Sequence, residues 1–350
     1  MNNFLVHGAI GLLLILVGGC AANPTPTPTA AIPIPTALSS ATTAPQATAL
    51  AQLTATPAAT PTLHPALVEA TLPRLAARQY PGSEITTTRV LTVTDTYTQA
   101  LVTYLSDNLK VSGIMNVPLG QGSFPAVVLV HGYYDPAQFV SGAGTTTMAD
   151  VLARQGYVTF APDLRGYGES EHAQNLYLSG YIVDVLNAGA SLKRLAQVEP
   201  TRVGVWGHSM GGGLATRAMV VNDLFRAVVL YAPISGDNAD LVLDPFSGEP
   251  IGVTTELAES VLLSVNDEKL LRELSPIHYF ERVTAPVSIH IGLADDDQQV
   301  LWAKTIRNDL KLANKAVEYF EYPGQGHVIQ GDMQKVMFSR VLGFLQRSMK

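Results

Sequence analysis

Three side chains far apart in the chain carry the residue types that acyl transfer needs. Ser209 lies in Gly207-His208-Ser209-Met210-Gly211, after the apolar run Val203-Gly-Val-Trp206 and before Leu214 to Val221, which has helical spacing. Strand, sharp turn and helix in that order make G-x-S-x-G a nucleophile elbow. The turn closes only if positions 207, 211 and 212 lack side chains, and the serine itself sits at a strained angle with its hydroxyl exposed. Taken alone, the pattern also fits an ordinary Gly-rich loop. A serine hydroxyl attacks a carbonyl only when a base takes its proton and an acid orients that base. His327, in the turn-rich Tyr322-Pro323-Gly324-Gln325-Gly326-His327, is the expected base.

The acid should lie between them in chain order, after the preceding strand. Ile291-Gly292-Leu293-Ala294-Asp295-Asp296-Asp297 offers three adjacent carboxylates, which cannot all enter one site. Asp295, the earliest after the strand, is the choice and Asp296 the alternative, the others being solvated or capping the next helix. Asp237 and Asp240 are minor alternatives. The cluster lacks the alternating spacing of a calcium loop, so no metal is expected. Two backbone donors must hold the oxyanion: Met210 N–H, and Tyr133 N–H from His131-Gly132-Tyr133-Tyr134. The Tyr134 hydroxyl or amide is an alternative to Tyr133. Tyr134 and His208 are substrate-lining candidates, with His131 and His208 also readable as structural hydrogen-bonders. Asp163-Leu-Arg165-Gly166-Tyr-Gly168-Glu-Ser170 reads as scaffold with an internal Arg/Asp pair.

Positioning these residues requires a particular set of elements. Ile85 to Thr94, Gln99 to Leu105 and Lys110 to Val117 read as leading antiparallel strands. Ala126 to Val130 is continuously apolar, as a strand covered on both faces must be. Comparable runs follow at 157–161, 202–206, 227–231 and 287–291, with a mixed one at 317–322. Helical patterns alternate with them at 145–155, 181–195, 209–221, 300–312 and 328–347. This alternation predicts an α/β fold with a doubly wound, mainly parallel sheet. Residues 236–274 break it and read as a small helical lid. Thr254 or Thr255 is expected to cap a first lid helix bearing Leu257, Val261 and Val265. Asn266 is expected to cap a second, bearing Leu270, Leu271 and Leu274.

No Asp, Glu, Lys or Arg occurs before Glu69 in this chain of 350 residues. Residues 1–20 read as a lipoprotein-type signal, with Val17-Gly18-Gly19-Cys20 similar to a lipobox and Cys20 the lipidated residue. No Lys or Arg stands near the start, which leaves an uncleaved anchor as the alternative. Residues 21–68, rich in Pro, Thr and Ala, read as a disordered tether, and 69–350 as one domain. The expected location is extracytoplasmic, with the membrane reached through the N-terminal anchor. A net charge of −7 without a basic run argues against nucleic acid, and one cysteine excludes an internal disulfide.

Together, His131-Gly132 after a strand, Asp163 to Ser170, Gly207 to Gly211, Asp295 and His327 resemble the α/β-hydrolase superfamily over roughly 85–347. Ser275-Pro276-Ile277, Ala285-Pro286-Val287 and the 292–296 segment are similar to the catalytic domain of the prolyl oligopeptidase family. That resemblance supports Asp295 as the acid. It implies a serine hydrolase acting without a cofactor on a small ester or short peptide. The His208-Ser209-Met210 elbow is shared with esterases and lipases, so peptidase and carboxylesterase both stay open. A surface lipoprotein using the fold only for binding is the reading from another class.

Overall fold

The computed structural model describes residues 63–241, 260, 261, 264 and 266–350, all within a compact unit running from Thr60 to Lys350. Nine strands form one sheet: β1 (Thr86–Val93), β2 (Tyr97–Ser106), β3 (Leu109–Pro118), β4 (Phe124–Val130), β5 (Val158–Pro162), β6 (Val198–His208), β7 (Val228–Tyr231), β8 (Val287–Gly292) and β9 (Val317–Tyr322). Their order is β1-β2-β3-β5-β4-β6-β7-β8-β9. The β2–β3 hairpin turns on Asp107 and Asn108, both at positive φ, the geometry whose twist suits a two-residue hairpin. The first three strands pair antiparallel, β3 meets β5 antiparallel, and every later pair is parallel. The expected α/β sheet is therefore present. Its central strands are buried on both faces and its edge strand β1 is exposed along its length.

The strand order fixes where a ligand can enter. From β4 the chain moves through helix α3 (Thr146–Arg154) to β5 on one side. It then returns through α4 (Ser179–Leu192) to β6 on the other, and continues outward through α5 (Met210–Val221). Right-handed crossovers taken in opposite directions place α3 and α4 on opposite faces. The loops leaving adjacent strands β4 and β6 therefore diverge, opening a crevice at their carboxyl ends. That crevice is where 131–134 and the elbow lie.

Helix α4 is buried at nearly every position, not along one stripe, because it crosses β2, β4, β5 and β6 and packs against α5. Its one charged residue, Asp184, is fully buried and accepts a bidentate pair from Arg165, Nη2 at 2.7 Å and Nε at 3.0 Å. Ser106 Oγ and the Arg165 amide donate to the same carboxylate. The scaffold arginine thus pairs with Asp184 and not with the nearby Asp163.

The folded part reaches back beyond the first charged residue. Helices α1 (Pro65–Glu69) and α2 (Leu72–Ala76) precede the sheet, and His64 Nδ1 accepts from Ala66 N at the start of α1. Leu67 is fully buried in a cluster with Leu176, Leu270 and Leu274. Residues 63–68, expected within the tether, therefore belong to the fold. Leu67 is the one fully buried residue among them, and Pro65 is exposed. Within the expected lid, α6 (Asn238–Leu241) and α7 (Glu268–Leu274) are described. Asp267 caps α7 through Leu270 N at 2.9 Å, in place of the expected Asn266. Thr254, Thr255, Leu257 and Val265 lie outside the described residues, as do residues 1–62 with Cys20. Helix α8 (Asp297–Leu312) starts earlier than its apolar pattern because Asp296 caps it, accepting from Gln298 N at 2.9 Å. Helix α9 (Gly331–Ser348) starts later, leaving Val328 and Ile329 in the loop that carries His327.

Candidate active site

Ser209 stands alone between the last residue of β6 and the first of α5, at φ 57° and ψ −120°. A side-chain-bearing residue pays strain there, and the surroundings hold it in place. Its N–H donates to Tyr231 O at 2.9 Å, and its carbonyl accepts from Gly213 N at 3.1 Å and Ile234 N at 3.3 Å. Gly207 and Gly211 face each other across the turn, and a Cβ on either would overlap backbone atoms. Met210 is the first residue of α5, so its N–H belongs to the amides that have no acceptor within their own helix.

The candidate acid and base, Asp295 and His327, follow the ends of β8 and β9, joined through Leu293 N to Tyr322 O (3.0 Å) and Ala294 N to Gln325 O (2.8 Å). His327 Nδ1 lies 2.9 Å from Asp295 Oδ2, with the Asp295 side chain 6% exposed and that of His327 39% exposed. The other carboxylates are occupied elsewhere. Asp296 caps α8, Asp297 lies exposed in its first turn, Asp240 accepts from Ser235 Oγ, and Asp237 accepts from Ala239 N and Ser275 Oγ. Asp295 alone among the considered acids is hydrogen-bonded to the histidine. No hydrogen bond joins Ser209 Oγ to His327 among the described residues. The two are linked instead through the elbow, where His208 Nε2 lies 3.0 Å from the His327 carbonyl and the two imidazole centroids are 4.8 Å apart. Hydrogen bonds to a catalytic base are often long before substrate closes the site.

The 131–134 loop meets the elbow from β4. A Cβ on Gly132 would lie 3.2 Å from Ser209 Cβ and 3.7 Å from its Oγ, so this peptide runs directly beside the hydroxyl. The His131 ring is buried, with Nε2 3.0 Å from Asp163 O and Nδ1 2.6 Å from Gly132 O. Burial pushes its pKa down. Tyr133 follows, 44% exposed. Tyr134 packs its ring on Phe139, its carbonyl accepts from Tyr167 Oη at 3.0 Å, and its hydroxyl lies against Gly144. His208 packs on Tyr231 with centroids 4.3 Å apart, and burial, then the neighbouring His327, pushes its pKa down to about 4. Its described polar partner is thus the histidine loop. Among the described residues no group of three or more His, Cys, Asp or Glu is placed to hold a metal ion.

Three residues, one in the frame and two beside the site, have roles that the sequence pattern does not give. Asp184 interrupts the apolar Ile182-Val183-Asp184-Val185-Leu186, a visible anomaly. Tyr231 Oη accepts from Ile329 N at 2.5 Å, and Gln299 Nε2 donates to Ala232 O and Pro233 O at 2.6 and 2.7 Å. Nothing in the residue pattern marks the last two.

A model of the prolyl oligopeptidase family matches residues 144–350. The quorum-quenching protein AidA of Acinetobacter baumannii is 26% identical over 149 residues, covering 42% of this chain and 48% of that protein. The uncharacterized peptidase YuxL of Bacillus subtilis is 25% identical over 231 residues, covering 63% of this chain and 34% of that one. The chain thus spans about half or less of these relatives. Among solved structures, acetyl xylan esterase 1 of Thermoanaerobacterium sp. superposes with a TM-score of 0.59 at 16% identity, over 82% of this chain and 95% of that one. The acylaminoacyl peptidase of Pyrococcus horikoshii does so with a TM-score of 0.60 at 22% identity, over 73% and 42%. At these identities the structural likeness speaks for the fold.

Proposed function

We propose, on the premise that this chain belongs to the prolyl oligopeptidase family and is a serine hydrolase, that Ser209, His327 and Asp295 form its triad for cleaving peptide or carboxylic ester bonds. The observation that carries this reading is the 2.9 Å pairing of His327 with Asp295 in a loop held by His208, the neighbour of the strained elbow serine. With Nδ1–H directed to the carboxylate, the Nε2 lone pair remains to take the Ser209 proton. The alkoxide attacks the carbonyl, and the oxyanion is held by the Met210 and Tyr133 amides. His327 returns its proton to the leaving group, and water then releases the acyl-enzyme by the same steps.

A fluorophosphonate probe should label the wild-type protein and leave Ser209→Ala unlabelled. Labelling that survives the substitution, or never occurs, supports the binding-only alternative. The carboxylesterase reading stands beside it because the His208-Ser209-Met210 elbow is shared with esterases and lipases. Aminoacyl-anilides assayed beside short and long acyl esters separate it from a peptidase. The N-terminal reading is proposed with it: cleavage before Cys20, lipidation there, and an extracytoplasmic domain on a Pro/Thr/Ala tether. Incorporation of labelled palmitate that is lost in Cys20→Ser tests it.

A further inference from the structure

The loop bearing His327 is bounded by Gly324 and Gly331, both at positive φ, so its ends impose little on what lies between. Between Gly326 and Ile329 the described hydrogen bonds to the backbone come from three side chains. His208 Nε2 lies 3.0 Å from the His327 carbonyl, Tyr231 Oη 2.5 Å from Ile329 N, and Gln334 Nε2 3.3 Å from Ile329 O. His208 and Tyr231 are paired across β6 and β7, so their side chains share one face of the sheet, and their rings pack at a tilt with centroids 4.3 Å apart. One of them is next in sequence to the nucleophile. The peptide flanking the base is therefore fastened to the strands that present the serine, independently of the Asp295 contact.

We propose that His208 and Tyr231 are positioning residues that lock the His327 loop to the elbow, His208 by donating Nε2–H to the carbonyl of His327 itself. The role rests on the triad reading above. Asp295 fixes the ring's tautomer and tilt, but a ring can swing on its own backbone. The His208 bond removes that freedom by fixing the peptide from which the ring projects. It also satisfies a carbonyl that would otherwise lack a partner next to a forming imidazolium. Burial keeps the His208 ring neutral, so a single N–H points at the carbonyl and no second cation competes with His327.

Two substitutions separate the donor from the ring. His208→Phe keeps an aromatic face against Tyr231 and deletes the N–H. His208→Gln restores an N–H at the same reach without the ring. With p-nitrophenyl acetate, kcat of His208→Phe should fall about 10–100-fold with KM within about twofold, the cost of misplacing a catalytic group by about 1 Å. His208→Gln should recover most of that loss, and Tyr231→Phe should show a smaller fall of the same kind. Hydrogen exchange of the 323–330 amides should quicken in His208→Phe and not in His208→Gln. Wild-type kcat in His208→Phe, or a His208→Gln no better than it, overturns the proposal. So does unchanged exchange, which tests the lock even without turnover. Failure of the triad reading looks different: fluorophosphonate labelling that persists in Ser209→Ala, with the exchange pattern as expected.

Discussion

Asp163 and Asp295 occupy equivalent stations, each just beyond the carboxyl end of a buried parallel strand, yet they do opposite work. Asp163 Oδ2 accepts from Ser112 Oγ at 2.7 Å and Ser141 Oγ at 2.6 Å, while its Oδ1 is buried without a partner. Burial outweighs those hydroxyls and pushes its pKa up. Asp295 gives one oxygen to His327 Nδ1 and accepts from Asp296 N at 2.8 Å with the other. Hydroxyls that only brace a carboxyl group make it part of the frame. On the proposed triad, an imidazole that must change charge during a reaction makes its carboxylate partner part of the chemistry. The strand end supplies the location, and a distant segment supplies the role.

The largest effect should come from breaking the active half of this pair. Asp295→Asn should lower kcat about 10⁴-fold, as loss of the orienting acid does in serine triads, while Asp163→Asn leaves kcat within a few-fold of wild type. Steady-state kinetics on both variants makes the contrast. On the frame side, Asp184→Ala should destabilise the fold by about 3–5 kcal/mol in urea unfolding, because Arg165 is left charged and buried. A result below about 1 kcal/mol would mean the Arg165 cluster is solvated and not part of the frame.

Two smaller effects have opposite signs with pH. His208, held at about 4, and His290, buried beside Ser288 and Tyr322 and held at about 3 by burial and then by Arg340, take up protons more readily when unfolded. Their stabilisation is complete above the unfolded histidine value of about 6.5 and is lost as pH falls toward their folded values. The melting temperature should therefore drop on acidification through that window. Asp163 works the other way. Its folded carboxyl holds a proton more tightly than the unfolded chain, so its contribution is full below the ordinary aspartate range and fades as pH rises through its raised folded value. Asp163→Asn should remove that fading and leave the histidine-driven drop in place. Melting curves of wild type and variant across acid pH resolve the two.

Much of this was legible in the sequence because burial on both faces leaves a mark. Apolar runs such as Ala126 to Val130 cannot be surface strands, and each of the five such runs expected overlaps a buried strand. The elbow was legible because its glycines are steric requirements. Which of Asp295, Asp296 and Asp297 faces His327 was open on spacing alone, since all three follow the same strand. The family resemblance favours Asp295, and the 2.9 Å contact singles it out. The fold starts before the first charged residue because Leu67 alone anchors α1 in an apolar cluster, and one leucine in an uncharged stretch gives no mark of that. Tyr231 and Gln299 gave no signal, since each acts through an ordinary polar group on a backbone brought in by a remote loop.

The packing at Gly211 has a consequence for how this molecule can change. A methyl group there would fall onto the carbonyl oxygen of Val130, the last residue of β4. Strand, turn and helix are already in van der Waals contact at that spot, leaving no slack for even the smallest addition. A change of substrate preference that keeps the fold should then come from the loops at the strand ends, where side chains still have room.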